Sequence, residues 1–346
     1  MKRTITLFGA GSWGTALSVV LAEKGHPVTL WARRPEAAAS IRATGHNPTY
    51  LPDVSIPDAV RVTADVEAAA QAADLWAVAT PSHAVREMMK RLRPHVHPEG
   101  IIVSLAKGIE NETLQTTTAV IRDVVPELPA ERVGVLYGPS HAEEVAKQKP
   151  TTVVAAAPSA GTAQAVQSAF MTDRLRVYRN TDVTGVEIAG SVKNVLAIAT
   201  GIGDGIGYGD NAKAAIITRG LAEMRRLGLA LGARAQTFAG LAGIGDLVVT
   251  CTSAHSRNRH LGEQIGRGRS LAEIEAAMDM IAEGVRTTQS VRALARRHDV
   301  DMPITEAVHA VLFEDKAPEE TVDELMNRPA KREHADVYAP APSTEE

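Results

Sequence analysis

The chain contains a single cysteine, Cys251, among 346 residues. That excludes an intrachain disulfide and makes a reducing compartment, the cytoplasm, the expectation. The neighbours of Cys251 are small, the setting of a packed residue rather than a reactive thiol. Aromatic residues make up only 3% of the chain, so its core must be built from Ala, Val, Leu and Ile. Neither sign of charge dominates: 37 Lys and Arg stand against 41 Asp and Glu, a formal net charge of −4. That balance argues against a nucleic-acid surface and leaves room for a local basic pocket around a small anion. No run approaches the ~20 apolar residues of a membrane span. Met1-Lys2-Arg3 could open a signal peptide, but a glycine-rich turn follows instead of an apolar core with a cleavage site. Membrane insertion is not expected, and no metal site is expected.

The glycine-rich turn is the most informative segment present. The apolar run Thr4–Phe8 leads into Gly9-Ala10-Gly11-Ser12-Trp13-Gly14, and a small-residue helical pattern follows to Ala22. Strand, G-x-G-x-x-G and helix in that order are the context of a dinucleotide-binding fingerprint. Gly9 would make the tight turn, Gly11 would let a pyrophosphate approach the backbone, and Gly14 would let helix and strand pack closely. A second strand, Pro27–Trp31, ends at Ala32-Arg33-Arg34-Pro35. NAD-specific folds carry an acidic residue near this point for the ribose 2′-hydroxyl. Two arginines suit a 2′-phosphate better, so NADPH is favoured over NADH. A solvated arginine pair in a loop is the competing explanation.

At this length, two domains are expected. Strand signals recur at Leu75–Ala79, Ile101–Leu105, Val133–Tyr137, Thr151–Ala156 and Leu175–Tyr178, mostly with helical patterns between them. This alternation predicts an α/β N-terminal domain, a Rossmann-like, doubly wound, mostly parallel sheet over residues 1–182. From 183 to 328 the pattern becomes all-α. Helices are expected at Val183–Ala199, Asn211–Leu227, Ser270–Met280, Thr287–His298 and Thr305–Leu312. Residues 329–346 are polar and contain several prolines, so a poorly ordered tail is expected.

Three clusters in the second half could carry chemistry. In Glu187–Leu196, helical spacing puts Glu187, Gly190, Lys193 and Asn194 on one face. A glycine beside a lysine there suggests a bulky neighbour; a solvated lysine on an amphipathic helix is the plainer alternative. Asp246, in Leu241–Leu247, could cap a helix or orient a lysine. Ser256-Arg257-Asn258-Arg259 offers hydroxyl, guanidinium and amide groups suited to a phosphate monoester. An exposed basic turn would look the same.

Taken in order, G-A-G-S-W-G-T-A (Gly9–Ala16), A-K-G-I-E (Ala106–Glu110), Y-G-P-S-H-A (Tyr137–Ala142) and S-V-K-N-V (Ser191–Val195) form one pattern. T-R-G-L-A-E-M (Thr218–Met224), L-A-G-I-G-D-L (Leu241–Leu247), S-R-N-R (Ser256–Arg259) and E-G-V-R-T-T (Glu283–Thr288) extend it to about residue 315. The set resembles bacterial NAD(P)-dependent sn-glycerol-3-phosphate dehydrogenases. A phenylalanine is common in that family where His141 stands here, a change expected to be tolerated.

The resemblance implies interconversion of dihydroxyacetone phosphate and sn-glycerol 3-phosphate for phospholipid synthesis, by a homodimer. It implies Lys193 as general acid/base. Lys107, Gly138, Ser140, Asp246, Ser256, Arg257 and Asn258 would line the substrate site. Ser12, Trp13, Arg33, Arg34, Lys107, Ala142, Arg257, Ile281 and Glu283 would contact or surround the cofactor, with Gly9, Gly11 and Gly14. A different two-domain reductase, acting on ketopantoate or a hydroxy acid, is the alternative enzyme. A nucleotide-binding sensor without chemistry is the non-enzymatic one.

Overall fold

The computed structural model describes residues 2–277 and 282–333. Ile281, the last residues of the expected 270–280 helix and the tail from 334 onward lie outside the described residues.

Eight strands form one sheet: β1 (Ile5–Phe8), β2 (Val28–Trp31), β3 (Val60–Thr63), β4 (Leu75–Val78), β5 (Ile101–Ser104), β6 (Val133–Tyr137), β7 (Thr151–Ala156) and β8 (Leu175–Asn180). Their order is β8-β7-β6-β5-β4-β1-β2-β3. Neighbours are parallel except β6 and β7, which run antiparallel. The strands β1, β2, β4, β5 and β6 are buried along their whole length. Continuous apolar runs of this kind are what a sheet covered on both faces requires. Apolar clusters containing Leu7, Leu30 and Phe170, and Phe8, Met89 and Ile121, fill those faces.

β3 is absent from the sequence reading. It is an edge strand with one exposed face, and its alternation in Val60-Arg61-Val62 is too short to stand out. The chain order turns back between β1 and β4. The carboxyl ends of those two strands flank the crevice in which doubly wound sheets bind ligands.

After Asn180 the described residues contain no strand. A 24-residue helix, Val183–Ile206, forms the axis of the helical part. It packs against the helices Asp210–Ala230, Asp246–Thr252, Arg257–Gly266 and Glu283–Arg297. An 18-residue window of this helix has a mean hydropathy of 1.2, although Glu187, Lys193 and Asn194 interrupt its apolar residues. Every residue of that apolar window is buried inside the protein. The 257–266 helix is also new: its sequence reads as a cluster of functional groups, and its polar first turn, Arg257-Asn258-Arg259-His260, masked the apolar spacing.

Candidate active site

A cleft of about 810 Å³ runs between the carboxyl edge of the sheet and the helical part. The sheet contributes the glycine turn after β1, the Arg33-Arg34 tip after β2, the loop after β4, and Lys107 and Ser140 after β5 and β6. The helices contribute Lys193, Asn194, Asp246, Thr250, the Ser256–Asn258 turn and Glu283.

The glycine turn has the expected form. Gly9 adopts φ +128°, and a Cβ there would lie 2.6 Å from the Ala79 carbonyl oxygen at the end of β4. A Cβ on Gly14 would fall 1.9 Å from the Gly9 oxygen, so Gly14 serves helix–strand packing and does not line the cleft. Gly11 faces open space. No side chain caps the Ser12–Glu23 helix, so its first N–H groups face a region built to receive an anion. These features fit the pyrophosphate of a dinucleotide. Asn47 braces the turn, its amide donating to the Ala10 carbonyl (2.9 Å) and to Thr15 Oγ1 (2.8 Å). Ser12 donates to the Tyr50 carbonyl at 2.9 Å. Sequence reasoning missed Asn47, because the short ribbon that carries it leaves no periodic signal.

At the other end of the cleft two lysines share one carboxylate. Lys193 Nζ donates to Asp246 Oδ1 at 2.7 Å and to Thr250 Oγ1 at 2.8 Å. Lys107 Nζ donates to Asp246 Oδ2 at 2.7 Å and to the Gly138 carbonyl at 3.1 Å. Lys193 is only 6% exposed, which rules out the solvated-lysine alternative. Burial is the main force lowering its pKa, and the Lys107 charge adds to it. Asp246 opposes both, and the balance leaves Lys193 at about 8. Burial works against the Asp246 carboxylate, but the two ammonium groups outweigh it and hold the pKa below the usual range. Asp246 opens its helix yet its side chain does not cap it.

Two other members of the Lys193 face, Gly190 and Glu187, have definite neighbours. The bulky neighbour at Gly190 is the Tyr137 ring, 2.8 Å from where a Cβ would sit. The same ring lies under the Lys107 ammonium, 5.7 Å from its centroid. Glu187 is buried and accepts hydrogen bonds from the hydroxyls of Thr116, Thr117 and Thr118 and from the Thr118 N–H. It ties the central helix to the sheet domain. Thr250 went unnoticed in the sequence, although it follows Asp246 at helical i+4 spacing, and Tyr137 was given no site role.

The Ser256–Arg259 segment divides its roles. Ser256 caps the 257–266 helix, its hydroxyl accepting from the Arg259 N–H at 3.3 Å. Asn258 Oδ1 accepts from the Gly284 N–H at 2.9 Å, leaving the amide NH₂ as the donating end. Arg257 lines the cleft. Arg259 does not: it turns back and pairs with Asp204 at 2.5 Å. Of the two arginines that the sequence offered to a phosphate, only Arg257 reaches the cleft.

Glu283 accepts from the Ser82 N–H at 3.1 Å, linking the helical part to the loop after β4. Burial raises its pKa. Ala142 and Trp13 line the cleft; Gly138 lies behind it and acts through its carbonyl. Ser140 donates to that same carbonyl at 2.9 Å. His141 stands in the wall with its ring 5.6 Å from that of His255. Burial and the Lys193 charge lower its pKa. Cys251 is buried, and burial pushes its thiol up to about 11.

Two family descriptions match the chain, the N-terminal part of NAD-dependent glycerol-3-phosphate dehydrogenase over residues 4–163 and its C-terminal part over 182–323. The chain belongs to the NAD-dependent glycerol-3-phosphate dehydrogenase family. Among relatives in this family, a glycerol-3-phosphate dehydrogenase of Salinibacter ruber, specified for NAD(P)⁺, is 67% identical over 334 residues, covering 96% of this chain and 97% of that protein. The crystal structure of glycerol-3-phosphate dehydrogenase from Coxiella burnetii superposes with a TM-score of 0.91 at 40% identity, covering 94% of this chain and 99% of that one. A ketopantoate reductase of Ralstonia eutropha, covering 92% and 99%, reaches only 0.60 at 18% identity, a likeness of fold alone.

Proposed function

We propose that this chain catalyses the reversible NAD(P)H-dependent reduction of dihydroxyacetone phosphate to sn-glycerol 3-phosphate, feeding glycerophospholipid synthesis. The observation that carries this reading is the Lys193–Asp246–Lys107 cluster, set in a cleft that begins at a dinucleotide turn and also holds Arg257. Gly9, Gly11, Ser12 and Trp13 hold the cofactor, Gly14 setting the turn behind them. Arg33 and Arg34 favour NADPH at the adenosine end, and Ala142, Arg257 and Glu283 border the rest. Bound NAD(P)H supplies the hydride that substrate C2 receives.

Lys193 moves the proton. In reduction its ammonium donates to the C2 oxygen as that atom gains alkoxide character. In glycerol phosphate oxidation the neutral amine accepts the hydroxyl proton. A pKa of about 8 leaves both forms populated near neutral pH, whereas an ordinary lysine would be almost wholly protonated. Asp246 and Thr250 fix the direction of Nζ. Lys107 supplies a second cation beside the reacting oxygen. Arg257 and the Asn258 amide hold the phosphate, with Ser256 and Ser140 shaping the wall. Holding the phosphate away from C2 places the carbonyl against Lys193 and spends remote binding energy on orientation.

The division at 182/183 separates a dinucleotide-binding unit from a catalytic one, up to 328. The enzyme works as a homodimer in the cytoplasm. The test is an absorbance assay at the nicotinamide band with dihydroxyacetone phosphate and each reduced cofactor, run beside ketopantoate and other 2-keto acids. Turnover of the keto acids, and none of the phosphate ester, would reject the proposal. Cofactor binding without turnover of either would favour the sensor.

A further inference from the structure

The adenosine end of the cleft has two facing walls. One is the tip of β2, Trp31 through Arg34. The other is one face of the Val85–Leu92 helix and its entry, where Ala84, Glu87, Met88 and Arg91 recur at helical spacing. Arg91 crosses between the walls: its guanidinium carbon lies 5.5 Å from the Trp31 ring centroid. Trp31 is a fixed platform. It is buried, and its indole N–H donates to the Ala64 carbonyl at 3.0 Å. A guanidinium seated on such a ring loses little further freedom when it meets an anion.

The charges at this end do not balance. Two carboxylates line it, Glu36 and Glu87, and each has its own cation. Glu36 lies 3.9 Å from Arg34, and Glu87 lies 2.6 Å from Lys90. Among the described residues no carboxylate pairs with Arg33 or Arg91. Arg33, Arg34 and Arg91 thus line one opening, and of the three only Arg34 has a carboxylate partner there. Like charges gathered this way repel unless an anion enters between them.

We infer that Arg91 is a third guanidinium, acting with Arg33 and Arg34, that recognises the 2′-phosphate of NADP(H) and so sets cofactor preference. The inference rests on the dinucleotide site proposed above. NADH carries a neutral hydroxyl where NADPH carries a dianion, so only the phosphorylated cofactor relieves the repulsion. Arginine also provides the several planar donors that a phosphate accepts. Arg91 is far from the glycine turn and from Arg33 in sequence. It reaches the site only because β4 lies beside β1 and the helix after β4 returns along the crevice.

The experiment is calorimetric titration of NADPH, NADH and adenosine 2′-monophosphate into the wild type and the Arg91→Ala, Arg91→Lys and Arg33→Ala variants, with melting temperatures measured in parallel. Arg91→Ala should weaken NADPH and adenosine 2′-monophosphate by roughly five- to twentyfold and NADH by less than about twofold, as expected for a partly exposed charged contact. Arg91→Lys should fall between, since it keeps the charge and loses the planar donors. Equal weakening of NADPH and NADH would overturn the inference and assign Arg91 to the adenine ring. Unchanged binding of both would overturn it too. If Arg33→Ala discriminates between the cofactors and Arg91→Ala does not, the inference fails and the cofactor site stands. If the wild type binds neither dinucleotide, the inference fails together with the site.

Discussion

Asp246→Asn keeps the shape of the side chain and removes one negative charge from between two ammonium groups. Both lysines lie 2.7 Å from its oxygens. A unit charge about 4 Å away is worth about 4 kcal/mol at an effective dielectric near 20, or about three pK units. The cleft is open to solvent, so about half of that is a fair expectation. Lys193 stands at about 8 because Asp246 partly offsets burial and the Lys107 charge. Removing that offset lowers the pKa further, by about one to two units.

The direction follows directly. Oxidation of glycerol phosphate needs the neutral amine, so its rate rises as pH rises through the Lys193 pKa. Reduction needs the ammonium and declines through the same value. The assay is the pH dependence of kcat/KM for glycerol phosphate with saturating cofactor, and for dihydroxyacetone phosphate in reverse. In Asp246→Asn both limbs should move to lower pH by about one to two units. Reduction above neutral pH should suffer more than oxidation. The variant should still fold, because Lys193 can shed its proton instead of staying charged without a partner. The loss of stability should stay near 1–3 kcal/mol, below the 3–5 kcal/mol typical of a stranded buried charge. Limbs that stay in place, or move to higher pH, would refute the assignment of Lys193 as the group that titrates.

Lys193→Ala should lower turnover by roughly 10²–10⁴-fold with little change in NADPH affinity, measured by steady-state kinetics and titration; near-normal turnover in a folded variant would remove Lys193 from the chemistry. Arg257→Ala should weaken dihydroxyacetone phosphate by about 1.5–3 kcal/mol in binding or KM. Arg259→Ala should leave substrate KM nearly unchanged and instead lower the melting temperature, because its partner is Asp204; a large KM effect would contradict that geometry. Glu187→Ala strands the Thr118 N–H and three hydroxyls in a buried site and should cost about 2–4 kcal/mol in chemical denaturation. Glu187→Gln should cost less, since the threonine hydroxyls can reverse and accept.

Much of the fold is legible in the sequence because its signals are local. The G-x-G-x-x-G turn lies between a strand and a helix within consecutive residues, β1, β2 and β4 to β7 are short runs rich in apolar residues, and the alternation of β8 is six residues long. β3 escapes because it has only four residues and half of it faces solvent, too short an alternation to stand out. The 257–266 helix escapes because its first turn is occupied by Arg257, Asn258 and Arg259. The site is legible only in part. Ser256-Arg257-Asn258-Arg259 looks like one phosphate clamp, but a helix turns Arg259 away from the cleft, and no local pattern separates it from Arg257. Asn47 and Thr250 carry no motif, and Tyr137 opens one without showing its role, so only their neighbours in space reveal what they do.

By itself the sequence determined the dinucleotide turn, the change from alternating α/β to helix after residue 182, and the ordered motifs that mark the family. These depend on backbone periodicity and on residue types in a row. Only the tertiary structure decided that Lys193 is buried, that Asp246 joins it to Lys107, and that Arg91 stands across the cleft from Arg33. Those facts depend on desolvation and on charges brought together from distant parts of the chain. Burial and proximity set a lysine's pKa and a phosphate's partners, and neither is a property of a linear sequence.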